Sequence, residues 1–150
     1  MVINILCGTI IPLIILFMFF KKYPELVILI YPVGISIAFL ANDWGADLFW
    51  QVMPKHENPS LSMMPYNIGY FPLMAVAFSY IKVKKSIKSG ILILSFAITT
   101  TFIEFLGLTV GKIQYYNNWN IFYTFFIYLS GFIAASIYVN LLWRYKIILK

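Results

Sequence analysis

The sequence predicts an all-α integral membrane protein, a polytopic bundle of five transmembrane helices, and three observations support this fold class. Of the 150 residues, 62% are hydrophobic and 11% are charged, which is far from the mixed composition of soluble domains. The apolar residues form runs of roughly 20, the length at which a helix crosses a membrane. The basic residues lie mainly between these runs. We therefore expect one transmembrane domain over residues 1–150.

The first apolar run, 2–20, ends at Lys21 and Lys22 and contains Pro12, which predicts a bend. A cleaved secretory signal carries positive charges before its apolar run and small residues at the cleavage site. This segment has neither feature, so we expect it to remain as the first span.

The second and third runs, 26–50 and 61–81, each carry polar residues toward one end. Asp43 and Asp47 close the second run four residues apart, so a helix would place them on one face, either as a coupled acid pair or as a solvated helix end. The third run contains Pro72, which predicts a kink, and has Asn67 and Tyr70 near its start. Both runs therefore predict helices with one polar end.

The fourth and fifth spans are expected at 90–110 and 121–143. Five spans place nine of the eleven lysine and arginine residues on one side of the membrane and two, Lys55 and Lys112, on the other. Basic residues in short loops favour the cytoplasmic side. The pattern thus predicts an N-terminus outside and a C-terminus in the cytoplasm.

Glu104 is the residue around which a functional hypothesis can be built, because it is an acid within an apolar span. A charge near the membrane centre is costly and usually needs a partner, a proton or water. At about 1.5 Å per residue, Glu104 lies about 21 Å from the cytoplasmic boundary, in the outer half. We expect one outward-opening polar cavity, or alternatively an interhelical hydrogen bond that fixes packing. The cavity would be lined by Glu104, Asp47, Asp43, His56, Asn67, Tyr70, Asn118 and Trp119.

Metal, cofactor and nucleic-acid binding are not predicted. His56 is the only histidine and Cys7 the only cysteine, and no H-x-x-x-H or C-x-x-C spacing is present. The formal net charge of +6 comes from lysines between apolar runs, where basic residues act as topology signals. Membrane lipids are therefore the expected partners, together with a second copy of the chain or a larger membrane complex.

The segment I-E-F-L-G-L-T-V-G-K-I-Q-Y-Y-N-N-W-N-I-F-Y-T, residues 103–124, resembles a family of small, functionally uncharacterised membrane proteins of Gram-positive bacteria. The likeness is carried most by Glu104, Tyr115, Tyr116, Trp119 and Asn120. Glycine often precedes this tryptophan in the family, where the present chain has Asn118. The resemblance implies a multi-span bundle in a bacterial inner membrane and no assigned reaction.

Three classes of function stay open. The first is a structural or accessory membrane protein, in which Glu104 and small residues such as Gly107 and Gly111 serve helix contacts. The second is a transporter or channel subunit that binds a proton or cation at Glu104 and Asp47. The third is a membrane enzyme that uses one of these acids on a lipid-borne substrate. No nucleophile elbow or phosphate-binding loop supports the third class, so the sequence favours a role other than catalysis and leaves the enzyme alternative open.

Overall fold

The computed structural model describes residues 1–46, 48–85 and 87–148. The predicted all-α class is confirmed, with a small two-stranded sheet added. We number the helices α1 to α5 and the strands β1 and β2. Their bounds are α1 Val2–Lys22, α2 Pro24–Gly45, β1 Trp50–Val52, α3 59–84, α4 Ser89–Thr109, β2 Ile113–Tyr115 and α5 Ile121–Arg144.

Four helices, α1, α2, α4 and α5, are long and apolar enough to cross a membrane. Helix α3 is not one of the four, and the reason lies in its position. Its side chains include Ser62, Asn67, Val76, Phe78 and Ser79, all fully buried within the protein. A helix that faces other helices rather than lipid can carry polar residues and still form part of a bundle. The lower hydropathy of α3 therefore reflects a central position.

Helix α3 connects two hydrophobic clusters. Val76 packs with Leu16 of α1 and Val139 of α5. Two residues further, on the opposite side of the helix, Phe78 packs with Phe132 of α5, and their ring centroids lie 5.4 Å apart. Because α3 contributes to both clusters, it holds the other four helices around it.

Helices α1 and α3 each contain one π-helical turn, at Leu6–Ile10 and Tyr66–Tyr70, and each turn ends two residues before a proline. Proline has no N–H, and its ring crowds the carbonyl four residues earlier, which a wider turn relieves. In α3, Pro72 cannot donate to the carbonyl of Ile68, which instead accepts a 2.9 Å hydrogen bond from the Tyr31 hydroxyl. The prolines thus explain where the two π-turns form.

Strands β1 and β2 pair in antiparallel fashion, with Trp50 opposite Tyr115 and Val52 opposite Ile113. The prediction of a second span over 26–50 is wrong at its far end, because α2 ends at Gly45 and Trp50 lies in β1. The chain is extended at Ala46, and Trp50 folds back over Gly45. Of the apolar residues at the end of the predicted span, Trp50 therefore packs in the sheet, whereas Leu48 and Phe49 lie in the turn before it. The other four predicted spans match the helices within three residues.

The bundle has two distinct ends. The sheet end carries β1, β2 and the loops beside them. At the opposite, basic end the helix termini are in contact, since the Tyr23 and Tyr80 rings lie 4.8 Å apart and Lys84 approaches the Tyr23 ring. This end carries the basic residues Lys21, Lys22, Lys82, Lys84, Lys85, Lys88, Arg144 and Lys146.

Candidate functional site

Glu104 lies in the last two turns of α4, partly buried between α5 and β2. One carboxylate oxygen accepts hydrogen bonds from the Tyr115 hydroxyl at 2.5 Å and from the Thr124 hydroxyl at 3.4 Å. The other oxygen accepts a hydrogen bond from the Tyr128 hydroxyl. Glu104 therefore joins α4 to both β2 and α5, and its side chain faces the protein rather than lipid.

Local sequence explains how the three donors reach one carboxylate. Thr124 and Tyr128 are four residues apart in α5, so they lie on one face. The start of α5 is fixed by Asn120, whose side-chain oxygen accepts from the N–H groups of Phe122 at 3.0 Å and Tyr123 at 3.3 Å. The third donor, Tyr115, lies in β2, and pairing with β1 fixes the register of that strand.

Tyr115 acts as a donor to the carboxylate. Burial, and next the charge of Glu104, raise the pKa of the Tyr115 hydroxyl far above its usual value. The hydroxyl thus keeps its proton and can donate it in a hydrogen bond. It also lies 2.8 Å from the Thr124 hydroxyl, which accepts from the indole N–H of Trp119 at 2.9 Å. The carboxylate and its hydroxyl partners form one connected network that includes Trp119.

Tyr70 lies beside this network. Its hydroxyl is buried near Thr100 and Glu104 and makes no hydrogen bond within the described ranges 1–46, 48–85 and 87–148. A buried hydroxyl without a partner is uncommon in proteins and usually indicates an ordered water or another bound group. Tyr70 therefore lies in the environment of Glu104 without bonding to it.

Asn67 takes part in a second polar cluster. Its side-chain oxygen accepts a 2.5 Å hydrogen bond from Asn42, and the Asn42 oxygen accepts from the Trp50 indole at 3.2 Å. Asn67 is fully buried. The ring centroids of Trp50 and Trp119 are 5.2 Å apart, so the two tryptophans link this cluster to the Glu104 network.

Three of the remaining predicted residues are exposed at the sheet end. Asp43 accepts a 2.5 Å hydrogen bond from the Ser60 hydroxyl, and the ring of His56 accepts one from the N–H of Asn58 at 3.2 Å. Asn118 lies in a turn with φ of 58°. Asp47 lies outside the described residues. The structure thus brings Trp119 and Tyr70 to Glu104, whereas Asp43, His56 and Asn118 lie apart from it.

The partners of Glu104 that the sequence analysis does not identify include Thr124 and Tyr128 in α5. A signal for them exists, since two polar residues at i and i+4 in an otherwise apolar span indicate a hydrogen-bonding face.

In the part of the chain that the structure describes, no group of three or more His, Cys, Asp or Glu side chains could hold a metal ion.

No protein-family model, curated protein or solved structure matches this chain.

Proposed function

We propose that this chain is a five-span protein of a bacterial cell membrane with a structural or accessory role. In this proposal the N-terminus and the sheet end are outside and the C-terminus is cytoplasmic. The charge distribution supports the orientation, because the predicted five-span arrangement assigns nine of the eleven lysine and arginine residues to one side of the membrane. The resemblance of residues 103–124 to membrane proteins of Gram-positive bacteria supports the bacterial assignment. Membrane lipids are the proposed partners, together with a second copy of the chain or a larger membrane complex.

Contacts at both ends of α3 support the count of five spans. Near its start, Ser60 is hydrogen-bonded to Asp43 at the sheet end. Near its last turn, Lys82 is hydrogen-bonded to Ser89 at the basic end. Helix α3 thus has contacts at both ends of the bundle, which supports a fifth crossing beside the four apolar helices.

The single observation that carries the structural role is the set of hydrogen bonds to Glu104. Both carboxylate oxygens accept from protein hydroxyls, those of Tyr115, Thr124 and Tyr128. These bonds use three of the about four acceptor positions that a carboxylate offers, so a cation or a substrate proton would find at most one position free. An acid whose bonds are taken up by neighbouring elements is suited to holding them together, as buried polar groups do in membrane bundles.

The outward-facing polar cavity belongs to the same proposal and is supported by the unpaired polar atoms at the sheet end. Within the described ranges, no partner is found for the Tyr70 hydroxyl, the side-chain nitrogen of Asn67 or the side-chain oxygen of Gln51, and all three atoms are buried. Buried polar atoms of this kind are usually satisfied by ordered water. We propose that water entering from the outside supplies these hydrogen bonds.

The orientation predicts where a reporter protein can function. A reporter that is active only in the cytoplasm should be active when fused after Lys85 and inactive when inserted at Asn58. The physical reason is that positive charges in short loops are retained on the cytoplasmic side. Activity at Asn58 together with inactivity after Lys85 would show that the chain has the opposite orientation.

The structural role predicts the absence of ion flux through Glu104. In liposomes loaded with a pH-sensitive dye, the wild-type protein and Glu104→Gln should give the same proton leak as protein-free liposomes, with or without a potassium gradient. A flux in the wild type that Glu104→Gln abolishes would contradict the structural role and favour the transporter class, since the two side chains have similar size and only one ionises.

A further inference from the structure

Lys82 is a buried lysine at the basic end of the bundle. Only 5% of its surface is exposed, and its ammonium nitrogen lies 2.8 Å from the Ser89 hydroxyl and 2.9 Å from the Ser136 hydroxyl. An ammonium group has three N–H donors, so these two serines leave one donor for a further acceptor. The side chain is therefore held in place with part of its bonding capacity remaining.

The charge of Lys82 is not neutralised by the residues that the structure describes. Its contacts are the two serine hydroxyls and the ring of Trp143, whose centroid lies 5.6 Å from the ammonium nitrogen. Hydroxyls and an aromatic ring support a cation without cancelling its charge. A buried charge is costly unless an opposite charge accompanies it. An anion bound beside Lys82 would therefore lower this cost.

The first turn of α4 provides a route by which an anion can reach Lys82. Ser89 is the first residue of this 21-residue helix and is exposed, and no side chain caps the N–H groups of the turn. No atom lies within 4 Å of the position that a Cβ on Gly90 would occupy, so the turn is open beside Ser89. Helix N-termini favour anions through their unpaired N–H groups and the helix dipole.

We propose that Lys82, Ser89 and the first turn of α4 form a binding site for the phosphate group of an anionic phospholipid. The ammonium group supplies charge and one donor, the turn supplies N–H donors, and Lys85 and Lys88 add positive charge in the adjoining loop. The position of the site at the end of a membrane bundle places it at the depth of lipid headgroups. The site is independent of the role of Glu104 and of the orientation of the chain.

The wild-type protein can be tested directly. Purified protein in detergent is mixed with equal amounts of phosphatidylglycerol and phosphatidylcholine, and retained lipids are counted by native mass spectrometry. One phosphatidylglycerol should be retained on most protein molecules, in preference to phosphatidylcholine. Equal retention of the two lipids would overturn the lipid assignment. If 10 mM inorganic phosphate raises the melting temperature at constant ionic strength and phosphatidylglycerol does not, the phosphate is free rather than lipid-borne.

A matched pair of variants tests the residues. Lys82→Met and Lys85→Met each remove one positive charge from the basic end, but Lys85 is exposed. Lys82→Met should weaken phosphatidylglycerol binding on the order of tenfold, as loss of a charged hydrogen-bond donor does, whereas Lys85→Met should weaken it about twofold or less. Equal losses in the two variants would show general attraction to the basic end and overturn the site. Wild-type affinity in Lys82→Met would overturn it as well.

Discussion

Replacing Gly69 with alanine is expected to destabilise the bundle by about 3 kcal/mol, at the upper end of the usual cost of overpacking. A Cβ at this position would stand 2.1 Å from the carbonyl oxygen of Gly8 and 2.8 Å from the Cα of Thr9. Both are backbone atoms of α1, so no side chain can rotate away. Helices α1 and α3 would have to separate where their π-turns meet.

Gly131→Ala is the matched control for this prediction. Gly131 also lies within a long helix, and nothing approaches within 4 Å of the position its Cβ would occupy. Alanine should be neutral there or stabilise the helix by up to about 1 kcal/mol, because alanine favours helix more than glycine does. Thermal unfolding in detergent measures both variants. Equal stability of Gly69→Ala and Gly131→Ala would show that α1 and α3 do not pack as closely as described.

The helices were predictable because lipid imposes a simple rule on sequence. A membrane span must be apolar along its length, and residues 90–110 and 121–143 follow this rule almost to the observed ends of α4 and α5. The rule fails beyond α2, where Trp50 is as apolar as a span requires yet lies in a strand. Hydropathy indicates that a residue favours an environment without water, but it does not distinguish burial in lipid from burial within the protein.

The partners of Glu104 were only partly predictable. The sequence indicates that an acid in a span needs donors, and threonine or tyrosine on a neighbouring helix fits this need. It does not indicate that Tyr115 reaches Glu104, because that contact depends on β2 pairing with β1 from a loop far away in the chain. The sequence predicts that Asp43 lines one cavity with Glu104, yet Asp43 accepts its hydrogen bond from Ser60, near the start of α3. Depth in the membrane can be counted along a helix, whereas rotation about the helix axis requires the packing.

The turn before Trp119 is formed by two asparagines in an uncommon backbone conformation. Asn118 has φ of 58° and Asn117 has φ of 51°, both in the left-handed region. Glycine enters this region at little cost, and asparagine is among the side chains that tolerate it best. Asparagine at position 118 can therefore keep the turn that glycine would form.

Glu104→Leu is the second change expected to have a large effect, with a loss of about 2 kcal/mol in the free energy of unfolding. Leucine removes the acceptor for the Tyr115, Thr124 and Tyr128 hydroxyls, and hydrogen bonds within membrane bundles contribute on average about 0.6 kcal/mol each. Glu104→Gln retains an acceptor oxygen and should lose less than about 1 kcal/mol. Thermal or denaturant unfolding in detergent measures both variants.

Deleting the Tyr128 hydroxyl distinguishes the loss of hydrogen bonds to Glu104 from the general effect of introducing a leucine at that position. Tyr128→Phe removes one donor to Glu104 and should cost about 1 kcal/mol, whereas Tyr123→Phe, exposed on the same helix, should cost almost nothing. In Glu104→Leu the deletion of the Tyr128 hydroxyl should cost less than in the wild type, because its acceptor is already gone. If the two Tyr128 costs are equal, the hydroxyl and the carboxylate contribute independently. Glu104 would then not be the residue that joins α4 to α5.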